Sequence, residues 1–340
     1  MKAIVLSTTG GPDVLELVER PVPEPGPGEV RVRLALSGVN PTDWKCRQYG
    51  HVNGKLMYPE VIPHHDGSGL IDAVGPGVGA ERVGQRVWVW ESAWRRPHGT
   101  AANSVVLPSQ QAVQLPENAS LELGATLGVR AIAAHRCLLT LHGAPDRLGP
   151  GTLAGRTVLV AGGAGAVGHA VIQLAVWSGA TVVATVSTPE KAKLARAAGA
   201  AHVVDYRSDG VIEDIRAFAP DGVDLVADVD AAANLATNLQ VLGPRGTVAV
   251  YGTEGDEEVT LPIRLMMGRN LRYAFILGLT LPPADKLVSV ADITAAAAAG
   301  ALTVGEEAGL PLVPFPIERV REAHVAVQDG AIGKVLVDVA

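Results

Sequence analysis

The sequence reads as an α/β protein in two parts, a doubly wound parallel sheet preceded by a β-rich domain. Three observations carry this reading. From about residue 125 apolar strand-like runs alternate with helical patterns; before that point short alternating runs are broken by Pro and Gly; and a Gly-rich turn, "AGGAGAVG", joins the first long apolar run to a helix. At 340 residues the chain exceeds one ordinary core, so two domains are expected.

The first part gives "KAIVL", "VLELVER", "EVRVRLALSGV", "GLIDAVGPGV", "QRVWVWE" and "AANSVVLP", runs with turn signals about every ten residues, as in a twisted and partly closed sheet. The second gives strand "TVLVAGG", a helix over 166–178, strand "TVVATV", helix "PEKAKLARAAG", strand "HVVDY", helix "VIEDIRAFA", strand "VDLVADV", helix "NLATNLQVL", then strands "GTVAVYG" and "LRYAFIL". Strands apolar on both faces and alternating with helices describe a parallel sheet covered on both sides. The tail holds an Ala-rich helix, "ADITAAAAAG", and a last strand, "GKVLVDV".

Composition excludes several classes. With 48% hydrophobic and 19% charged residues the chain can bury a core, and a net charge of −7 without a basic stripe argues against nucleic-acid binding. The longest apolar region, 158–186, carries Gly, His, Gln and Ser and reads as βαβ, so no membrane partner is expected. Two cysteines, Cys46 and Cys137, make neither a disulfide framework nor a four-thiolate zinc site. The N-terminal run lacks the pattern of a secretory signal, and the expected setting is the reducing cytoplasm.

The Gly-rich turn has a physical task. Gly162, Gly165 and Gly168 form a G-x-x-G-x-x-G variant of the dinucleotide fingerprint, in which Gly163, Ala166 and Val167 keep the backbone open to a pyrophosphate at the helix N-terminus. The plain alternative is tight helix-on-sheet packing, which the full βαβ series disfavours. At the end of the second strand an NAD enzyme usually has Asp or Glu; here stand Ser187 and Thr188, with Lys191 one turn on and Tyr206 and Arg207 after the third strand. These residues favour NADPH over NADH. By itself, Lys191 is equally well a solvated surface lysine.

"SGVNPTDWKCR", "HHDGSGLIDAVGPGV", "LPENASLELGATLGV", "AGGAGAVG", "STPEKAKLARAAGAAHVVDYR", "LGPRGTVAVYG" and "GKVLVDV" together resemble the zeta-crystallin-like quinone oxidoreductases of the medium-chain dehydrogenase/reductase superfamily, over nearly the whole chain. The resemblance implies a GroES-like domain of residues 1–125 and 280–340, a Rossmann domain of residues 126–279, NADPH where the two meet, and a homodimer paired through "LRYAFIL". It also implies that Asn40 lies beside the nicotinamide, that Tyr251 and Gly252 flank the cofactor, that backbone at Phe275 to Leu277 holds the carboxamide, and that Lys334 reaches back from the C-terminal segment. At the positions where zinc alcohol dehydrogenases hold their catalytic metal this chain has Asn40, His65 and Val129, so no metal is expected.

Trp44, Tyr49, His65 and Trp94 are the substrate-side candidates. His51, where relatives often carry Tyr, is a candidate proton donor, although an exposed loop histidine is the bland alternative. The Gly- and Pro-containing stretch of residues 139–155 reads as a surface loop. The expected activity is zinc-independent hydride transfer from NADPH to a small-molecule quinone. The alternatives are reduction of an enone or enoyl-thioester double bond, and NADPH binding without turnover in a sensor or crystallin-like protein.

Overall fold

The structure is a computed structural model that describes residues 1–51, 53–253 and 258–340. The chain divides into two compact units, residues 1–130 with 312–340 and residues 131–311.

In the first unit β1 (Lys2–Val5) and β2 (Glu16–Glu19) form a two-stranded antiparallel ribbon. Then come β3 (Glu29–Gly38), α1 (Pro41–Tyr49), β4 (Asp66–Val74), β5 (Arg86–Val89), β6 (Ser104–Pro108), β7 (Ala112–Gln114) and the short helix α2 (Leu121–Gly124). In β3, Val30, Val32 and Leu34 point to one face and are fully buried, whereas Arg31 points away and pairs with Asp72 at 2.8 Å. That two-residue period is what a strand with one apolar face requires. Against them pack Ile71, Val87, Val105, Leu107, Val335 and Val337, each contributing roughly 1.5–3 kcal/mol of burial.

The second unit takes up helix α3 (Val129–Leu139) from its third residue on, then β8 (Thr157–Ala161), α4 (Ala166–Trp177), β9 (Thr181–Val186), α5 (Pro189–Ala197), β10 (His202–Asp205), α6 (Val211–Phe218), β11 (Val223–Asp228), α7 (Ala231–Val241), β12 (Leu242–Val250), α8 (Ile263–Arg269), β13 (Arg272–Phe275) and α9 (Pro283–Ala298). Its six strands are parallel in the order β10-β9-β8-β11-β12-β13. Strand order therefore reverses between β8 and β11, and in sheets of this kind ligands bind beyond the strand ends at that reversal. The chain returns to the first unit with β14 (Leu312–Pro316), α10 (Val320–Gln328) and β15 (Lys334–Asp338), where β15 pairs antiparallel with β3. The larger sheet of this unit runs β14-β15-β3-β4-β5-β7, with β6 on β3.

Both boundaries differ from the sequence expectation: the first unit runs to residue 130 rather than 125, and the chain returns to it at 312 rather than 280. Residues 280–311 pack with the second unit, because Asp292 on α9 accepts hydrogen bonds from His135 Nε2 (2.9 Å), Arg147 Nε (2.6 Å) and the Leu148 N–H (2.8 Å). The same clasp ties down the 139–155 segment. Ser289 Oγ lies 3.0 Å from His135 Nδ1. This Ser–His–Asp alignment resembles a hydrolytic triad, yet all three side chains are fully buried, and Ser289 donates to its own helix at Asp285 O. It is a structural fastening.

Candidate functional site

Two clusters of predicted residues form, one in each unit. In the second unit Gly162 follows β8 with φ of +70°, a conformation that a side chain disfavours. Six residues on, a Cβ at Gly168 would lie 2.4 Å from Gly162 O, so helix and turn meet only because Gly168 lacks a side chain. Gly165 occupies the N-cap of α4 without a capping side chain, and Ala166 and Val167 supply the first turn. A ligand at this turn meets the N-terminal end of a twelve-residue helix, as a pyrophosphate needs. The turn fits the dinucleotide that the family implies.

At the tip of β9, Lys191 Nζ lies 3.3 Å from Ser187 Oγ, while Thr188 caps α5 by accepting from the Lys191 N–H. Thr188 is thereby committed to the helix, and Ser187 with Lys191 forms the pair that can meet a 2′-phosphate. Tyr206 is half exposed beyond β10, with the Arg207 guanidinium 5.9 Å from its ring centroid. Tyr251 hangs from the end of β12 with its hydroxyl 3.4 Å from Ala161 O, next to the glycine turn, and Gly252 follows it. Phe275 ends β13, its side chain 71% exposed, and Leu277 follows at 52%.

In the first unit the predicted residues meet in a buried polar network. Asn40 caps α1, but its amide serves elsewhere: Nδ2 donates to Asp66 Oδ2 at 2.8 Å and Oδ1 accepts from Lys334 Nζ at 2.6 Å. Lys334 also donates to Val39 O at 2.8 Å. Asp43 accepts the Asn40 backbone N–H at 2.6 Å, and Asp66 accepts the Val129 N–H at 3.0 Å. All four side chains are buried. Burial pushes the carboxyls of Asp43 and Asp66 up and the Lys334 ammonium down, and their mutual attraction opposes both trends. Lys334 therefore orients Asn40 and is not itself open to a ligand.

Beside this network, Ser37 Oγ bridges His64 Nδ1 and Thr100 Oγ1, both at 2.8 Å, and His64 Nε2 meets His324 Nε2 at 2.9 Å. His51, His64 and His65 line one small cavity with Asp43, Cys46, Arg47 and Arg96. His51 is half-buried, its Nδ1 lacks a hydrogen-bond partner, and burial lowers its pKa. Trp44 packs 6.3 Å from Tyr49, which is 60% exposed, and Trp94 carries Arg95 over its ring at 5.4 Å. Neither Trp44, Tyr49 nor Trp94 lines that cavity.

Sequence reasoning overlooked Asp43, Asp66, Arg47, His64 and His324. A signal existed for Asp43, since Asn40-Pro-Thr-Asp43 has the spacing of a helix-capping box. The charge cluster around Lys334 depends on pairing distant in sequence and left no local trace.

Zinc does not fit this donor set. Where zinc dehydrogenases place a thiolate, Asn40 is hydrogen-bonded to an ammonium, and Val129 offers only its backbone N–H, already given to Asp66. Among the described residues no group of three or more His, Cys, Asp or Glu is arranged to hold a metal ion. Among them, too, no helix is long and apolar enough to cross a membrane.

Comparison with known proteins agrees with both units. Residues 26–117 match the family described as alcohol dehydrogenase GroES-like domain, and residues 166–289 match zinc-binding dehydrogenase. The chain is 32% identical to a quinone oxidoreductase of Lama guanicoe and 30% identical to the human one, each over 99% of this chain and 97% of the relative. It is 33% identical over 255 residues to the mouse synaptic vesicle membrane protein VAT-1 homolog; that match takes in 74% of this chain and 59% of the relative, so it spans about three fifths of that protein's length. Among solved structures, an NAD-dependent alcohol dehydrogenase superposes with a TM-score of 0.85 at 28% identity over 100% of both chains. A mycobacterial protein complexed with NADPH superposes with a TM-score of 0.82 at 29% identity over 99% of both. The chain belongs to the zeta-crystallin-like quinone oxidoreductase family of the medium-chain dehydrogenase/reductase superfamily.

Proposed function

We propose that this protein transfers hydride from NADPH to a quinone without zinc. The observation that carries the reading is the Lys334–Asn40–Asp66 network, which fills with hydrogen bonds the position where a zinc dehydrogenase keeps a metal ligand. Without a Lewis acid to stabilise an alkoxide, an acceptor that is itself electrophilic is the suitable partner. A quinone is such an acceptor. Two relatives named quinone oxidoreductase and a neighbour complexed with NADPH support the same reading.

Bound NADPH would supply the hydride from its nicotinamide ring. The Gly162–Gly168 turn and the N-terminus of α4 bind the pyrophosphate, Ser187 and Lys191 hold the 2′-phosphate, and Tyr206 with Arg207 covers the adenosine. Tyr251, Gly252 and the backbone at Phe275 to Leu277 orient the nicotinamide, and Asn40, buried with its amide fixed by two partners, holds the start of α1 in place. Pre-set orientation of this kind lowers the barrier without any covalent step. The proton that completes the quinol comes from solvent or from His51, which lines the cavity with an unpartnered Nδ1. That nitrogen is also the observation that favours a second reading, reduction of an enone or enoyl thioester, in which a proton donor is needed at carbon.

The exposed apolar side chains of Ile263, Met267, Phe275 and Leu277, on α8 and at the open edge of β13, support a homodimer paired through that edge. The free thiols Cys46 and Cys137 support a reducing, cytoplasmic setting. Purified protein should be mixed with NADPH and, in turn, an ortho-quinone, a para-quinone, an enone and an enoyl thioester. Turnover with the quinones that survives His51→Ala is expected; turnover confined to the alkenes and lost in His51→Ala would transfer the protein to the second reading.

A further inference from the structure

The cavity of the first unit contains a buried cation that has no anion. Arg47, on α1, is 1% exposed, and among the described residues the one acceptor its head reaches is Gln328 Oε1, at 3.1 Å. Its Nε and one terminal nitrogen have no hydrogen-bond partner. Arg96 lines the same cavity. It spends Nε on Ser92 O and one terminal nitrogen on Glu91 O, while its other terminal nitrogen is buried without an acceptor. Three guanidinium nitrogens without an acceptor, from two residues far apart in sequence, therefore belong to side chains that line one small cavity of about 20 Å³.

Native structures rarely leave such buried donors idle. The remaining walls do not supply the missing charge. Asp43 is the acid among them, and its carboxyl already accepts the Asn40 N–H. His64 is committed to Ser37 and His324, while Glu29 and Glu91, outside the cavity lining, attract Arg96 and leave Arg47 without an anion. A carboxylate satisfies the demand best, because its oxygens are acceptors only and its planar pair of lone-pair edges suits a guanidinium fork. The space admits the oxygen end of such a group and little more.

The geometry points to a carboxylate subsite formed by Arg47 and Arg96, so that the preferred acceptor is a quinone bearing a carboxylate. This assignment rests on the proposed hydride transfer, since the same cavity holds its candidate proton donor, His51, and a substrate-side candidate, His65. A free small carboxylate offers the same chemistry, and the experiment separates the two sources.

The test uses the intact protein, a benzoquinone and its carboxylate-substituted analogue as acceptors, and sodium formate as the free probe in thermal unfolding at matched ionic strength. The expected result is a kcat/KM about 10- to 100-fold higher for the carboxylate quinone, as charge-assisted hydrogen bonds allow, with formate competing against it. In Arg47→Met that ratio falls towards one, and in Arg96→Gln, the milder change should Arg47→Met fail to fold, it falls several-fold. Stabilisation by formate that disappears in the variants, without any preference between acceptors, supports the subsite and assigns it to a free carboxylate. The same stabilisation with neither quinone reduced supports the subsite while defeating the proposed function. Equal reduction of both quinones with no effect of formate overturns the subsite, leaves the function standing and assigns the cavity to water.

Discussion

Replacing Lys334 by Met removes the one ammonium from the buried network at Asn40. The side chain is 2% exposed, so solvent cannot take its place, and the change strands two acceptors, Val39 O at 2.8 Å and Asn40 Oδ1 at 2.6 Å. It also takes from the Asp66 carboxylate the larger of the two cationic attractions that oppose its burial, leaving that of Arg130. Breaking a buried pair in this way costs about 3–5 kcal/mol. At a urea slope of about 2 kcal/mol/M this lowers the unfolding midpoint of the first unit by roughly 1.5–2.5 M. Tryptophan fluorescence is the assay, since Trp44, Trp88, Trp90 and Trp94 belong to the first unit and only Trp177 to the second. Adding Asp66→Asn to Lys334→Met replaces the stranded charge with a neutral amide that still accepts from Asn40 and Val129. The double variant should then lose at least about 1.5 kcal/mol less than the sum of the two single losses. A single-variant midpoint within 0.5 M of wild type, a margin set at roughly 1 kcal/mol by that slope, or strict additivity in the double variant, would refute the network's role.

Three further predictions follow from other parts of the molecule. Gly168→Ala places a methyl 2.4 Å from Gly162 O and should weaken NADPH binding more than about 10-fold in a fluorescence titration, because the phosphate turn must open. Lys191→Ala should raise the NADPH Kd about 3- to 10-fold while changing the NADH Kd less than about twofold, the modest size reflecting a half-exposed ammonium. The His64–His324 pair makes the fold acid-sensitive: burial lowers both pKa values, that of His324 to about 3, so below the ordinary value near 6.5 the unfolded chain takes up protons that the folded chain refuses. This stability is full above pH 6.5 and is lost as pH falls towards 3, by up to about 2.7 kcal/mol per pH unit for two groups, and His324→Asn should roughly halve the slope of urea midpoint against pH.

The fold was legible where the signal was local. The strands of the parallel sheet stood out because β8, β9 and β11 are apolar along almost their whole length, and the glycine turn because only small residues fit between Gly162 and Gly168. Helix α1 was harder to see. No element was assigned over residues 41–49 from sequence, although Pro at the first helical position starts a helix readily. The placement of residues 280–311 was misread because it depends on Asp292 meeting His135 and Arg147, partners about 150 residues away in sequence. The same holds for the candidate site: Ser187 and Lys191 lie within one helical turn and were paired from sequence, while the contact of Lys334 with Asn40 spans 294 positions, and its chemistry emerges only from the pairing of β15 with β3. With Lys334 and Asp66 attached, Asn40 is a fixed amide.

The most direct test of the account is the initial rate of NADPH oxidation by an ortho-quinone in metal-free buffer, compared with NADH and repeated with a chelator. The account predicts a higher kcat/KM with NADPH that the chelator leaves unchanged. A rate that vanishes with the chelator and returns on adding zinc, or a clear preference for NADH, would contradict it.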